Sequence, residues 1–135
     1  MKTDREMKDF LAEAEDILVS ASHTLLLLEA GLAKGACDPD QVNALFRSVH
    51  SFKGLAGMFG RKAPSELAHN LEFLLDELRL GKVVLSQDVL DVLSETIALL
   101  GRLLQQVGTK QQIDNISTVQ HQIDRILATK PTTDS

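Results

Sequence analysis

Along most of this 135-residue chain, apolar side chains recur at steps of three and four, the spacing that gathers them on one side of an α-helix. Phe10, Ala14, Ile17, Ala21, Leu25 and Leu28 predict a first long helix from about Asp4 to Leu32. The stretch AKGACDPD then breaks the period at Gly35, and Asp38 before Pro39 has the form of an N-cap followed by a first-turn proline. Val42, Leu45, Val49, Phe52 and Ala56 predict a second helix from Pro39 to about Phe59, closed at Gly60, where glycine accepts the left-handed conformation. A third helix is expected from about Pro64 to Leu80, burying Leu67, Leu71, Leu74, Leu75 and Leu78. It ends at Gly81, with Arg79 placed to complement the carboxyl-end dipole.

Ser86 is the expected N-cap of a fourth helix, about Gln87 to Val107, which turns Leu90, Leu93, Ile97, Leu100, Leu104 and Val107 inward and ends at Gly108. Ile116, Val119, Ile123, Ile126 and Leu127 mark a fifth, whose capping box is either Thr109 with Gln112 or Ser117 with Gln120. With no strand-like alternation and no internal repeat, the pattern predicts an all-α fold. The expected architecture is an antiparallel four-helix bundle with an additional C-terminal fifth helix. One domain over residues 1–130 is expected, with residues 131–135 as a polar tail or the start of a linker.

A hydrophobic fraction of 44% supplies one core. The formal net charge of −5, with no lysine or arginine stripe, argues against nucleic acid as a partner. A single cysteine, Cys37, cannot form an internal disulfide and reads as a small loop residue. The opening MKTDREMKDF mixes acids with bases, and the leucine run Leu25 to Leu28 is too short to span a bilayer. A soluble, cytoplasmic protein without membrane attachment is expected.

The segment VHSFKGLAGMFG is written against its own propensity: Gly54, Gly57 and Gly60 follow His50 and Lys53, and each interior glycine costs a helix about 1 kcal/mol relative to alanine. At 100 degrees per residue, Gly57 shares the face of His50 and Lys53, and Gly54 and Gly60 flank it, beside the core stripe. Either the glycines permit close helix packing, or they bare a strip along which another protein can approach His50. A phosphate-cradling loop does not fit, because such loops follow a strand.

An exposed imidazole at neutral pH is largely uncharged and nucleophilic, able to accept a phosphoryl group. Lys53, one turn on, can offset the incoming negative charge. In the third helix, LAHNLEFLLDELR sets His69 and Glu72 three residues apart on neighbouring positions. If the second and third helices pack side by side, Glu72 can reach His50, fix its tautomer and leave the other ring nitrogen free to attack.

Together HSFKGLAGMFG and LAHNLEFLLDELRLGK resemble the histidine-containing phosphotransfer (HPt) domain, in the form found at the N-terminus of the chemotaxis histidine kinase CheA. The match in order and spacing runs over roughly Pro39 to Lys82, and the flanking helices fit the rest of that fold. The resemblance implies that His50 is phosphorylated on Nε2, that Glu72 hydrogen-bonds Nδ1, and that Lys53 and His69 complete the site. It implies a phosphocarrier, not an enzyme by itself. A histidine kinase ATP-binding domain donates to His50, and an aspartate of a response regulator receiver domain takes the group away. No cofactor is bound stably; ATP and magnesium come with the partners. One departure is Phe52, bulkier than the aliphatic residue expected there.

Two other readings compete. Glu66 and His69 form one Glu-x-x-His pair, whereas di-metal bundles use two such pairs plus further glutamates, so no metal site is expected. Alternatively the chain is a helical interaction adaptor without phosphotransfer, its glycine face binding a partner helix. His23 and His121 have no companions at catalytic or ligand spacing.

Overall fold

A computed structural model describes residues 3–105 and 110–129. Among them the chain forms five helices and no strand: α1 Asp4–Ala33, α2 Pro39–Met58, α3 Lys62–Arg79, α4 Gln87–Gln105 and α5 Lys110–Thr129. α1 packs on α2 and α4, α3 packs on α2 and α4, and α5 lies across α3 and α4. The first four helices therefore close a ring in which the α2/α3 edge is opposite the α1/α4 edge.

The ends of these helices reflect local chemistry. Thr3 and Glu6 form a reciprocal capping box on α1, satisfying donors that the first turn leaves open. Asp38 accepts from the Asp40 amide at 2.9 Å, and the Ser86 hydroxyl accepts from the Val89 amide at 3.2 Å. Gly35, Gly60 and Gly81 all have positive φ, between 69° and 77°, and close α1, α2 and α3. Gly31 has a different reason: a Cβ there would stand 3.1 Å from the Ala36 carbonyl oxygen.

α3 starts two residues before the expected Pro64, at Lys62, because proline is tolerated in a first turn whose amides need no partner within the helix. Its N-cap, Arg61, makes no side-chain cap and is held by tertiary contacts instead. The guanidinium reaches the Leu104 carbonyl at 3.4 Å and lies 5.9 Å from the ring of Phe10, which stacks on Phe59. α5 begins at Lys110, so Ser117 and Gln120 lie inside the helix and do not start it; Thr109, Val107 and Gly108 fall outside the described residues.

The core confirms the stripes, with additions. Val42, Leu45, Val49, Phe52 and Ala56 are the buried residues of α2. Phe52 is fully buried, so its extra bulk is taken up by the core. In α1 the expected Ile17 is only partly buried, while Leu18 and Thr24 join the interior. α4 touches α1, α3 and α5 and accordingly buries Val89, Val92, Leu99 and Leu103 beside the predicted set. α5 buries Val119 and Ile123, with Ile116, Ile126 and Leu127 partly covered. An 18-residue window of α1 is apolar enough by length and composition for a membrane span, and 28% of it is buried in the bundle.

Candidate phosphoacceptor site

The side chains of α2 and α3 that the sequence pairs do meet. His50 projects from α2 with 62% of its side chain exposed, and Nδ1 lies 2.7 Å from Oε2 of Glu72, a residue of α3 whose side chain is only 15% exposed. The other carboxylate oxygen, Oε1, accepts from Lys53 Nζ at 3.0 Å. One largely covered carboxylate thus holds both the histidine and the lysine of α2.

Burial pushes the Glu72 carboxyl up, but the hydrogen bonds from Lys53 and His50, and the charges of both, outweigh it and hold the group below its ordinary value. Glu72 is therefore ionised at neutral pH, and an ionised carboxylate can only accept. Nδ1 must carry the proton it donates. In the neutral ring the lone pair consequently resides on Nε2, the nitrogen that has no hydrogen-bond partner among the described residues.

Two further side chains extend the surroundings of the imidazole: Phe46, which the sequence patterns do not single out, and Arg79, singled out there only for its place against the helix dipole. The Phe46 ring is nearly parallel to it, 8° between planes and 6.3 Å between centroids, within the range of offset aromatic pairs. The Arg79 guanidinium lies 4.5 Å from the centroid of the Phe46 ring and pairs with Asp76 at 2.5 Å. Phe46 stands four residues before His50 on the same helix, a spacing that brings side chains together, and this was the available signal. Nothing local tied Arg79 to it.

His69 is exposed and does not hydrogen-bond His50, Lys53 or Glu72. It lines, with Lys53, Gly54, Gly57 and Ser65, an open depression of about 600 Å³ between α2 and α3. The glycines on this surface are exposed, and a Cβ built on Gly54 meets nothing within 4 Å. On Gly57 it would meet Ser65 Oγ at 3.4 Å, ordinary contact. Close packing inside the bundle therefore does not require either one. The Ser65 hydroxyl instead anchors α3 to the Lys53 carbonyl at 3.2 Å, at the lysine's own position on α2.

Glu66 and His69 acquire no further ligand: among the described residues no group of three His, Cys, Asp or Glu side chains is arranged to hold a metal ion. Cys37 is exposed in the α1–α2 loop, and burial of the thiol together with neighbouring Asp38 raises its pKa.

Residues 6–128 match the family described as Hpt domain. The chain belongs to that family. It is 37% identical over 107 residues, 79% of this chain, to the chemotaxis protein CheA of Cereibacter sphaeroides. To CheA of Rhizobium meliloti it is 40% identical over 102 residues, 73% of this chain. It spans 16% and 12% of the length of those two relatives. The solution structure of the histidine phosphotransfer domain of CheA superposes with a TM-score of 0.78 at 26% identity, over 99% of this Hpt chain and 98% of that one. The phosphorylated P1 domain of CheA3 from R. sphaeroides, solved in complex with CheY6, gives a TM-score of 0.77 at 23% identity, over 92% of this chain and 99% of that domain.

Proposed function

We propose that this Hpt domain is a phosphocarrier in two-component signalling, with His50 as the residue that carries the group. The observation that supports it best is the contact between His50 Nδ1 and Glu72 Oε2 at 2.7 Å, which leaves Nε2 of this exposed side chain as the nucleophile. In the loading step the Nε2 lone pair attacks the γ-phosphorus of ATP held by a histidine kinase domain. The bond to the β–γ bridging oxygen breaks, ADP leaves, and the ring becomes cationic, its charge balanced by Glu72 through the Nδ1 proton. In the unloading step a response-regulator aspartate oxygen attacks the phosphorus, the N–P bond breaks, and its electron pair returns to Nε2.

Lys53, tied to Glu72 yet one turn from His50, supplies positive charge beside the phosphoryl group. ATP and magnesium belong to the partners, which dock in turn over the depression that Gly54, Gly57 and His69 border. The longer CheA relatives and the CheA3 P1 domain seen with CheY6 support partners of these two kinds, and the reading places the transfer in the cytoplasm. Catalysis of ATP cleavage rests with the kinase domain.

The test is incubation of the chain with a CheA-type kinase and γ-labelled ATP. An acid-labile, alkali-stable phosphoprotein is expected, whose label is lost on adding a receiver domain. Label that persists in His50→Gln would remove His50 from this role.

A further inference from the structure

We propose that the groove between α1 and α4, on the opposite edge of the bundle from His50, seats a cationic amphipathic helix of a partner protein. The leucine run is the starting point. Leu25 and Leu28 are buried in the core, but Leu26, which lines the groove, is 65% exposed. Val19 stands two turns before Leu26 on the same line of α1 and is 68% exposed. Facing them on α4 are Ser94, Ala98 and Gly101, which are too small to cover the floor made by Leu18, Leu25 and Ile97. The result is an open apolar groove of about 660 Å³.

Its shape suits a helix. The lining runs along α1 from Glu15 to Glu29, about 21 Å at 1.5 Å per residue, or roughly four turns. Helix-in-groove recognition uses such a length, with apolar anchors three and four residues apart.

The charges select the occupant. Glu15 and Glu29 stand at the two ends of the α1 wall, and no lysine or arginine lines the groove. A helix with lysine or arginine along both flanks of its apolar stripe meets opposite charge at each end of the groove. A second copy of the chain would set acids against acids, and an anionic bilayer would be repelled likewise. Because α1 does not pack on α3, a helix held here leaves His50 open. The groove therefore suits a tether that retains the domain while phosphotransfer proceeds.

The experiment titrates the full chain with an 18-residue helical peptide bearing leucine at heptad a and d positions and lysine on both flanks, and with its glutamate-flanked counterpart. The lysine peptide is expected to bind and to shift the amide resonances of Ser22, Ser94 and Gly101; the glutamate peptide is not. Leu26→Glu adds negative charge, so adhesion by charge alone would tighten, whereas seating in the groove weakens by about tenfold or more. Glu15→Lys combined with Glu29→Lys should reverse the peptide preference. Phosphorylation of His50 should be unchanged in both variants, which separates this proposal from that of the phosphocarrier. Equal or tighter binding by Leu26→Glu, shifts centred on Gly54 and Gly57, or a dimer of the free chain abolished by Leu26→Glu would each overturn it.

Discussion

Glu72 Oε2 accepts the Nδ1 proton of His50 across 2.7 Å, from a helix 22 residues further along the chain. In the phosphocarrier role proposed for His50, that single contact decides which nitrogen is nucleophilic and where the proton stays while the ring carries a phosphoryl group. In that role α3 is as necessary to the chemistry as α2, so that substitutions on either helix should alter phosphotransfer.

Glu72→Gln replaces an acceptor-only carboxylate with an amide that offers both a donor and an acceptor. The imidazole then loses its preference, and both neutral tautomers should appear in ¹⁵N spectra of His50. Phosphorylation by the kinase should slow by about tenfold or more, equivalent to roughly 1.4 kcal/mol of barrier, with the helical circular dichroism spectrum retained. A single tautomer and an unchanged rate in this variant would remove Glu72 from the mechanism.

Lys53→Met takes away one of the two partners that offset burial at Glu72. The carboxyl should titrate at higher pH than in the unsubstituted chain, measured by ¹³C NMR of its side chain. Since the Nδ1 contact survives, phosphorylation should fall by only a few-fold, less than in Glu72→Gln. An equal loss in both would mean that the lysine's charge beside the phosphoryl group matters as much as the Nδ1 contact.

The depressed pKa of Glu72 also sets a direction for stability. A carboxyl with a lower pKa in the folded than in the unfolded state stabilises the fold above its unfolded pKa and loses that contribution as pH falls through the folded value. In urea denaturation, Glu72→Gln should therefore be less stable than the unsubstituted chain by about 1–2 kcal/mol at pH 7. That gap should hold down to about pH 5, given an ordinary Glu pKa of about 4.3, and close progressively below it. A gap that widened on acidification would contradict the ionised, doubly paired carboxylate.

Much of this was legible because it depends on local order. The spacing in α2 names its buried residues one for one, and Asp38, Ser86, Gly60 and Gly81 mark helix ends by chemistry that operates within a few residues. The pairing of His50 with Glu72 was legible once two helices were assumed to be neighbours. What escaped depends on which helices touch. Leu18 replaces Ile17 in the interior because α1 is pressed by α2 and α4 together, and Arg61 caps nothing locally because Leu104 and Phe10 hold it. Arg79 illustrates the same limit. Its place near a helix end could be read as a dipole effect, but its contact with Phe46, and through that ring with the surroundings of His50, exists only after α2 and α3 have packed.

Gly54→Ala separates stability from function most sharply. A Cβ at this position meets nothing within 4 Å, so the alanine introduces no clash and gains the helix about 0.5–1 kcal/mol, raising the melting temperature by a few degrees. If the bare strip beside His50 exists to admit two partners in turn, the same methyl group should slow transfer to the receiver domain or loading by the kinase, while the intrinsic hydrolysis of phosphorylated His50 stays the same. Gly57→Ala should behave alike, because its Cβ makes only ordinary contact with Ser65 Oγ at 3.4 Å. The measurement is a pair of thermal melts set beside transfer kinetics for each variant. A more stable chain that also transfers at the original rate in both directions would show that the glycines serve neither packing nor docking.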